Sequence, residues 1–250
     1  MDNAERIAKT IVYPDGRSEE AEAVVISEHE LTIIVNEMPV CRLICTKSNL
    51  KELVYGRLLT DGIIACADDL RSVHFCESEN RARVFTAGDV FLEEKPGTEP
   101  SCCTGNRVFA SKKGDKILKE IPRSSYRPEW VFGMAEEFGK DTRLHTATGG
   151  CHNCILAKNG KTLFVCEDIG RHNAVDKAVG YAVINHIPLN ECMLFTSGRV
   201  PVDMTEKVIA AGIPVLVSKS VPSYESVQMA KKYGLTLINR AWPDKYEIFH

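Results

Sequence analysis

The densest run of ionisable and hydrogen-bonding side chains is Glu167-Asp168-Ile169-Gly170-Arg171-His172-Asn173-Ala174-Val175-Asp176-Lys177. Gly170 permits a tight turn, and the first N–H groups of a following helix would face an anion. Arg171 would add a planar fork suited to phosphate or carboxylate. Clustered ionisable groups of this kind mark candidate sites. The plainer reading is a strand–helix turn in which Asp168 and Asn173 serve as caps. A second candidate is Cys102-Cys103. Adjacent cysteines chelate one metal poorly, and a disulfide between neighbours is strained, so the pair reads either as an exposed thiol or as an accident of the surface. Arg107, Lys112 and Lys113 lie close in sequence and would favour a thiolate. A third is Cys151-His152-Asn153-Cys154, with the spacing of a zinc or redox pair but no second Cys-x-x-Cys and no upstream His-x-Glu. Arg199 after Gly198, and Arg240, Trp242 and Lys245 near the carboxyl end, offer charge and stacking for a nucleotide. A solvated arginine and a tryptophan covering the core would explain the same residues. Gly160-Lys161-Thr162 imitates the end of a P-loop, but Ile155 stands where its first glycine belongs and a strand follows where a helix should.

The elements that must position these groups fall into two parts. Ala23 to Ser27, Leu31 to Val35 and Val40 to Thr46 have strand length and β-branched content, with Asn36-Glu37-Met38-Pro39 as a hairpin connection. Asn49 with Glu52 reads as the capping box of a helix bearing Leu50, Leu53, Val54 and Leu58 and stopping near Gly62. Leu70 to Phe75 and Arg81 to Phe85 read as a strand pair. Asp89 to Asn106 shows neither period, holds Pro96, Gly97, Pro100 and Gly105, and reads as a mobile loop. Tyr126 to Phe138 reads as a helix with Pro128 in its first turn.

Beyond Thr148-Gly149-Gly150 the pattern alternates. Strands Cys154 to Ala157, Leu163 to Cys166, Cys192 to Phe195, Val215 to Ser218 and Leu235 to Ile238 enclose helices near Asn173 to Asn185, Thr205 to Ala211 and Tyr224 to Tyr233. Asp203 with Glu206 reads as a further capping box. This alternation indicates an α/β layered domain. With mostly parallel strands, Thr196-Ser197-Gly198-Arg199, Ser218-Lys219-Ser220 and Asn239-Arg240 should meet the Asp168 to Asn173 turn at one edge. The expected division is a β-rich amino-terminal domain over residues 1–110, ending in a mobile cysteine loop, and an α/β cofactor-binding domain over residues 111–250.

Composition narrows the function classes. The chain of 250 residues is 44% apolar and 26% charged, with a net charge of -3, which disfavours nucleic-acid binding driven by bulk charge. Met1-Asp2-Asn3-Ala4-Glu5 does not read as a signal peptide, and no apolar run reaches membrane-spanning length, so a cytoplasmic protein is expected. In that compartment the 10 cysteines suggest thiol or metal chemistry more than disulfides.

The run from Glu167 to Lys177, with Thr148-Gly149-Gly150, Ser197-Gly198-Arg199 and Ser218-Lys219-Ser220 before Pro222, resembles the signature of the FdhD family of formate dehydrogenase accessory proteins. The resemblance implies a cytidine-deaminase-like α/β fold without the zinc site, hence no metal of its own, and typically a homodimer. It implies a sulfurtransferase that takes persulfide sulfur from a cysteine desulfurase. The sulfur goes to a molybdenum or tungsten bis(molybdopterin guanine dinucleotide) cofactor, bound as substrate, for formate dehydrogenase. The family commonly carries its persulfide cysteine in a Cys-x-x-Cys loop; here that place holds Cys102-Cys103-Thr104-Gly105. Cys102 is therefore assigned the persulfide and Cys103 a helper role. The cofactor-binding set becomes Asp168, Gly170, Arg171, His172, Asn173, Ser197, Arg199 and Ser218, with the stretch Arg240, Ala241, Trp242, Pro243, Asp244 and Lys245. Two rivals remain at this point: a chaperone that binds the guanine dinucleotide without sulfur chemistry, and a zinc hydrolase built on Cys151 and Cys154.

Overall fold

The computed structural model describes residues 3–98, 105–114, 118–122, 124–138, 140 and 142–249. The chain runs β1 (Ala4–Val12), β2 (Ser18–Ile26), β3 (His29–Val35), β4 (Met38–Cys45), α1 (Leu50–Thr60), β5 (Leu70–Phe75), β6 (Arg81–Thr86), β7 (Leu92–Thr98) and β8 (Arg107–Lys112). It continues through α2 (Pro128–Glu137), α3 (Arg143–Thr148), β9 (His152–Lys158), β10 (Lys161–Asp168), α4 (Arg171–Ile184), β11 (Cys192–Thr196) and α5 (Val202–Ala210). The last elements are β12 (Val215–Ser218), α6 (Tyr224–Tyr233), β13 (Thr236–Asn239) and β14 (Glu247–Phe249). The protein is mixed α/β.

Among the described residues the strands form two six-stranded sheets, ordered β5-β6-β3-β4-β8-β7 and β10-β9-β11-β12-β13-β14, and a separate β1–β2 ribbon. One continuous apolar core joins Leu31, Ile33 and Leu43 of the first sheet to Leu53 and Leu58 of α1. It extends to Val175 and Val179 of α4 and to Leu194 and Leu216 of the second sheet. Period-2 alternation in the strands supplies these inward faces. The opposite face of the second sheet is covered by Val131, Met134 and Ala135 of α2, whose Pro128 occupies the first turn as expected.

Two glycines set the depth of α4. A Cβ on Gly56 of α1 would overlap the Asp176 carbonyl, and one on Gly180 of α4 would overlap the Glu52 carbonyl. The helices therefore cross backbone to backbone. This closeness lets the Asp176 carboxylate accept from Thr60 Oγ1 at 2.8 Å and from Lys207 Nζ at 2.9 Å.

Three sequence expectations change. The stretch Asp89 to Asn106 is not loop throughout, because β7 pairs antiparallel with β8; Pro96 and Gly97 sit where the register shifts, which hid the strand period. Asn49 precedes α1 with φ 54° and makes no side-chain cap, so the capping box with Glu52 does not form. Asp203 lies inside α5, whose cap position is Pro201, and its carboxylate turns instead to His172.

Candidate functional site

Strands β11, β12 and β13 are parallel. Strand β10 points the same way although antiparallel β9 lies between it and β11. The ends of β10, β11, β12 and β13 therefore share one edge, and the start of β9 brings His152 and Asn153 into it. Convergence of the polar strand ends survives the mixed sheet because two antiparallel steps restore direction.

At the β10 end, Asp168 and Lys177 form an ion pair at 2.6 Å with both side chains fully buried. Asp168 Oδ1 accepts from Gly170 N at 2.8 Å and Asn173 Nδ2 at 2.9 Å, and Oδ2 accepts from Thr46 N at 3.1 Å. Lys177 Nζ also donates to Thr46 Oγ1 at 2.7 Å and to the Glu167 carbonyl at 3.2 Å. Asn173 Nδ2 donates to the Ile44 carbonyl at 2.8 Å, while its Oδ1 accepts from Asn106 Nδ2 at 3.2 Å. Asn106 Oδ1 in turn accepts from Ile44 N at 2.9 Å. Asp168 and Asn173 thus spend their polar atoms inside the protein and lock the α4 start onto β4. Thr46, Asn106 and Lys177 were not singled out as site residues. Thr46 and Asn106 are far from α4 in sequence, and no local pattern points to them.

Arg171 and Arg199 line one cleft of about 180 Å³ with Val200, Pro201, Val221, Pro222 and Ser223. Gly198 lets the Arg171 stem pass, since a Cβ there would lie 3.1 Å from the Arg171 Cβ. His172 Nε2 sits 3.1 Å from Asp203 Oδ2, joining α4 to α5. Ser197 Oγ accepts from Asn153 N at 3.1 Å and lies 3.1 Å from His152 Nδ1. Burial, then the charges of Arg171 and His145, hold the His152 ring below the ordinary histidine value. The sequence reading took His152 only as a possible zinc neighbour and passed over His145.

The Cys151–Cys154 spacing does not make a site. Residues at the start of a strand, three apart, project to opposite faces. Burial pushes the Cys151 thiol up to about 12, helped by Glu167, and Cys154 well above its ordinary value. Cys151 Sγ points to Glu167 Oε1 at 3.6 Å, and that carboxylate already receives Leu144 N and His145 N at the start of α3. Among the described residues no group of three His, Cys, Asp or Glu side chains is placed to hold a metal ion.

At the β12 end, Ser218 is buried and donates to the Gly198 carbonyl at 2.7 Å. Beside it Asn239 is fully buried, and neither its Nδ2 nor its Oδ1 has a partner among the described residues. Arg240 takes a left-handed backbone with φ 45°, and Ala241, buried, donates to the Ser218 carbonyl at 3.0 Å. Trp242 and Lys245 close a turn through their backbones, with Pro243 and Asp244 exposed at its tip. Trp242 is 44% exposed. Lys219 Nζ stands 4.8 Å from its ring centroid and 4.9 Å from that of Phe138. Cys102 and Cys103 lie outside the described residues. The segment that holds them resumes at Gly105 and the buried Asn106.

In layered α/β proteins the sheet edge where strand ends gather is the usual place for a ligand, and here that edge carries the Arg171–Arg199 cleft. This chain is a member of the FdhD/NarQ family, whose model matches residues 26–250. It is 32% identical over 231 residues to the sulfur carrier protein FdhD of Staphylococcus aureus strain MRSA252, covering 90% of this chain and 87% of that protein. It is 29% identical over 245 residues to the protein of the same name from Bacillus licheniformis, covering 96% and 93%. A crystal structure from Desulfotalea psychrophila, titled as a formate dehydrogenase accessory protein, superposes with a TM-score of 0.81 at 25% identity. The superposition covers 99% of this chain and 97% of that one.

Proposed function

We propose that the protein is a sulfur carrier that serves formate dehydrogenase. A cysteine of the 102–103 pair takes the terminal sulfur of a cysteine desulfurase persulfide. Its thiolate attacks that sulfur, a new S–S bond forms, and the donor's thiolate leaves. The carried sulfur then passes to a bis(molybdopterin guanine dinucleotide) complex bound as substrate with its metal reduced: the metal–sulfur bond forms as the carrier's S–S bond breaks, the metal gives up two electrons, and the carrier's thiolate leaves. On this reading the protein is a cytoplasmic sulfurtransferase of two functional parts, residues 1–110 and 111–250.

The observation that carries the proposal is the Asn106–Asn173 hydrogen bond. It ties the segment bearing the cysteines to the turn that presents Arg171 and His172. The acceptor edge fits a nucleotide-tailed substrate in its donor set. Arg171 and Arg199 suit phosphates, exposed Trp242 offers a face for a base, and unsatisfied Asn239 invites a hydrogen-bonding partner. Five buried cysteines are poor alternatives, whereas Cys76, more accessible, is lowered by its hydrogen bond with Ser78. Burial raises Cys45, Cys151, Cys154, Cys166 and Cys192, the last to about 11, which leaves little thiolate at neutral pH.

The test is incubation with a desulfurase and cysteine followed by mass spectrometry to locate added sulfur. Sulfur should map to Cys102 or Cys103, and the Cys102→Ala/Cys103→Ala chain should neither load nor activate formate dehydrogenase. Undiminished activation by that double variant would leave the guanine-dinucleotide chaperone as the reading to adopt.

A further inference from the structure

The core accounts for only one face of the first sheet. Leu31, Ile33, Leu43, Ala82 and Val84 point inward and belong to it. Strand alternation sends the residues between them to the other face. There Ile34, Phe85 and Phe109 are half-buried and belong to neither apolar core. Arg42, Arg81, Arg83 and Arg107 stand among them. The register sets three of these arginines in one row across the sheet: Arg81 beside Thr32, Thr32 opposite Arg42, and Arg42 opposite Arg107. At about 4.8 Å per strand the row is about 14 Å long. Arg83 lies beside Ile34, on the next outward position of β6.

Charge on this outer face is unbalanced. Glu30 pairs with Arg42 at 3.3 Å, and Glu93 sits at the far end, opposite Ser111. Arg81, Arg83 and Arg107 are exposed and make no ion pair among the described residues. Arg42 directly faces Arg107, and like charges opposed across a strand pair repel. The whole chain carries a net charge of -3, so the positive charge is local. Arginine beside aromatic side chains is the composition of protein contact surfaces.

The row ends at the place where the cysteines enter the chain. Arg107 pairs with Thr98 of β7, and these two residues bracket Cys102 and Cys103 in sequence. Asn106 and Arg107 are oppositely placed. Asn106 is buried and donates to Asn173 of α4, whereas Arg107 is exposed on the outer face. The residues flanking the cysteines therefore stand at the border between the arginine face and the α4 turn.

We infer that the outer face of the first sheet docks the protein that donates the sulfur, through an acidic patch on that donor. The inference rests on the sulfur-carrier reading and adds to it the surface used in the first half-reaction. Exposed arginines without a carboxylate of their own suit the carboxylates of a partner. The position selects the donor over the acceptor. The acceptor's phosphates are matched by Arg171 and Arg199 at the edge of the second sheet, and a donor on the outer face of the first sheet leaves that edge open.

Biolayer interferometry on an immobilised cysteine desulfurase tests the inference. The native chain should bind, and more weakly as salt is raised. Arg81→Glu/Arg83→Glu should weaken binding by about tenfold or more. Arg81→Gln/Arg83→Gln should show a smaller loss in the same direction, with an unchanged unfolding midpoint. Lys231→Glu/Lys232→Glu, which makes the same charge change on exposed residues of α6, should bind as the native chain does. Sulfur loading of the Arg81→Glu/Arg83→Glu chain should slow at low desulfurase concentration and recover at saturation. A native chain that does not bind, undiminished binding by both arginine variants, or an equal loss in the lysine control overturns the assignment. So does a changed sedimentation coefficient in the arginine variants, which would give the face to a second copy. Competition by a single-stranded RNA oligonucleotide would give it to nucleic acid and overturn it too. Binding is read without turnover, so a chain that docks through this face yet never gains sulfur would sink the sulfur-carrier reading alone.

Discussion

The start of α4 and the turn after β13 lie on the same sheet edge and are both rich in polar residues, yet they are built oppositely. Around Asp168, Asn173 and Lys177 every side chain is buried and hydrogen-bonded to its neighbours. Around Trp242 the side chains are exposed, and only the backbone is fixed, by Ala241 N to the Ser218 carbonyl and the Trp242–Lys245 turn. A satisfied buried network resists change because each member's loss strands the others. An exposed turn held by its backbone accepts side-chain replacement and can lend its side chains to a ligand. The two regions should therefore respond to mutation in different currencies: stability at the first, affinity at the second.

The largest effect is expected at Lys177. Replacing it with Met removes the counter-charge of a fully buried Asp168, and breaking a buried pair on one side costs about 3–5 kcal/mol. Denaturant unfolding measures it. A cost below 1 kcal/mol would mean that water reaches Asp168 and that the two regions are less different than their geometry says.

Next in size is Asn106→Ala, which strands Ile44 N and Asn173 Oδ1. Unsatisfied buried groups cost about 1–3 kcal/mol each. Because Asn106 ends the cysteine segment, the same variant should load persulfide normally from a desulfurase but deliver it more slowly to the acceptor. Equal loss in both half-reactions would show that Asn106 only supports the fold.

These two residues also mark what the sequence conceals. The strand–turn–helix at Asp168 to Asn173, the α2 start at Pro128 and the alternation that builds the second sheet are local patterns, and they are legible because periodicity and turn chemistry are local. The functions of Thr46 and Asn106 arise from contacts across long stretches of chain, and no window along the sequence contains both partners. Strand β7 was hidden because its pairing shifts register near Pro96 and Gly97. Strand β1 was passed over because its exposed faces blur the apolar alternation that would announce a buried strand. Within the α4 motif itself, sequence gives the set of polar residues but not its division. Arg171 faces the cleft while Asp168 and Asn173 face inward, and that division depends on where β4 packs.

At the exposed turn, Trp242→Ala should leave the unfolding free energy within about 0.5 kcal/mol. It should weaken binding of guanosine diphosphate by roughly tenfold or more, since base stacking on an aromatic side chain contributes about 1–3 kcal/mol. Calorimetric titration measures it. Unchanged affinity would remove the turn from the nucleotide site and leave the arginine cleft to hold the substrate alone.

The smallest effect sharpens the boundary between the two regions, where His152 sits half-buried beside Ser197. Its value is depressed, so the folded protein disfavours the charged ring. A group depressed in the fold contributes stability that is present above its unfolded value, about 6.5 for histidine, and that is lost as pH falls through the folded value. The His152 ring signal in a two-dimensional NMR titration should therefore move below pH 6.5, and acidification in that window should cost stability. Burial is the leading cause and the Arg171 charge the next, so Arg171→Gln should raise the midpoint only part of the way. A midpoint at or above the ordinary value in the native chain would place His152 in water, outside the desolvated rim that the strand ends define.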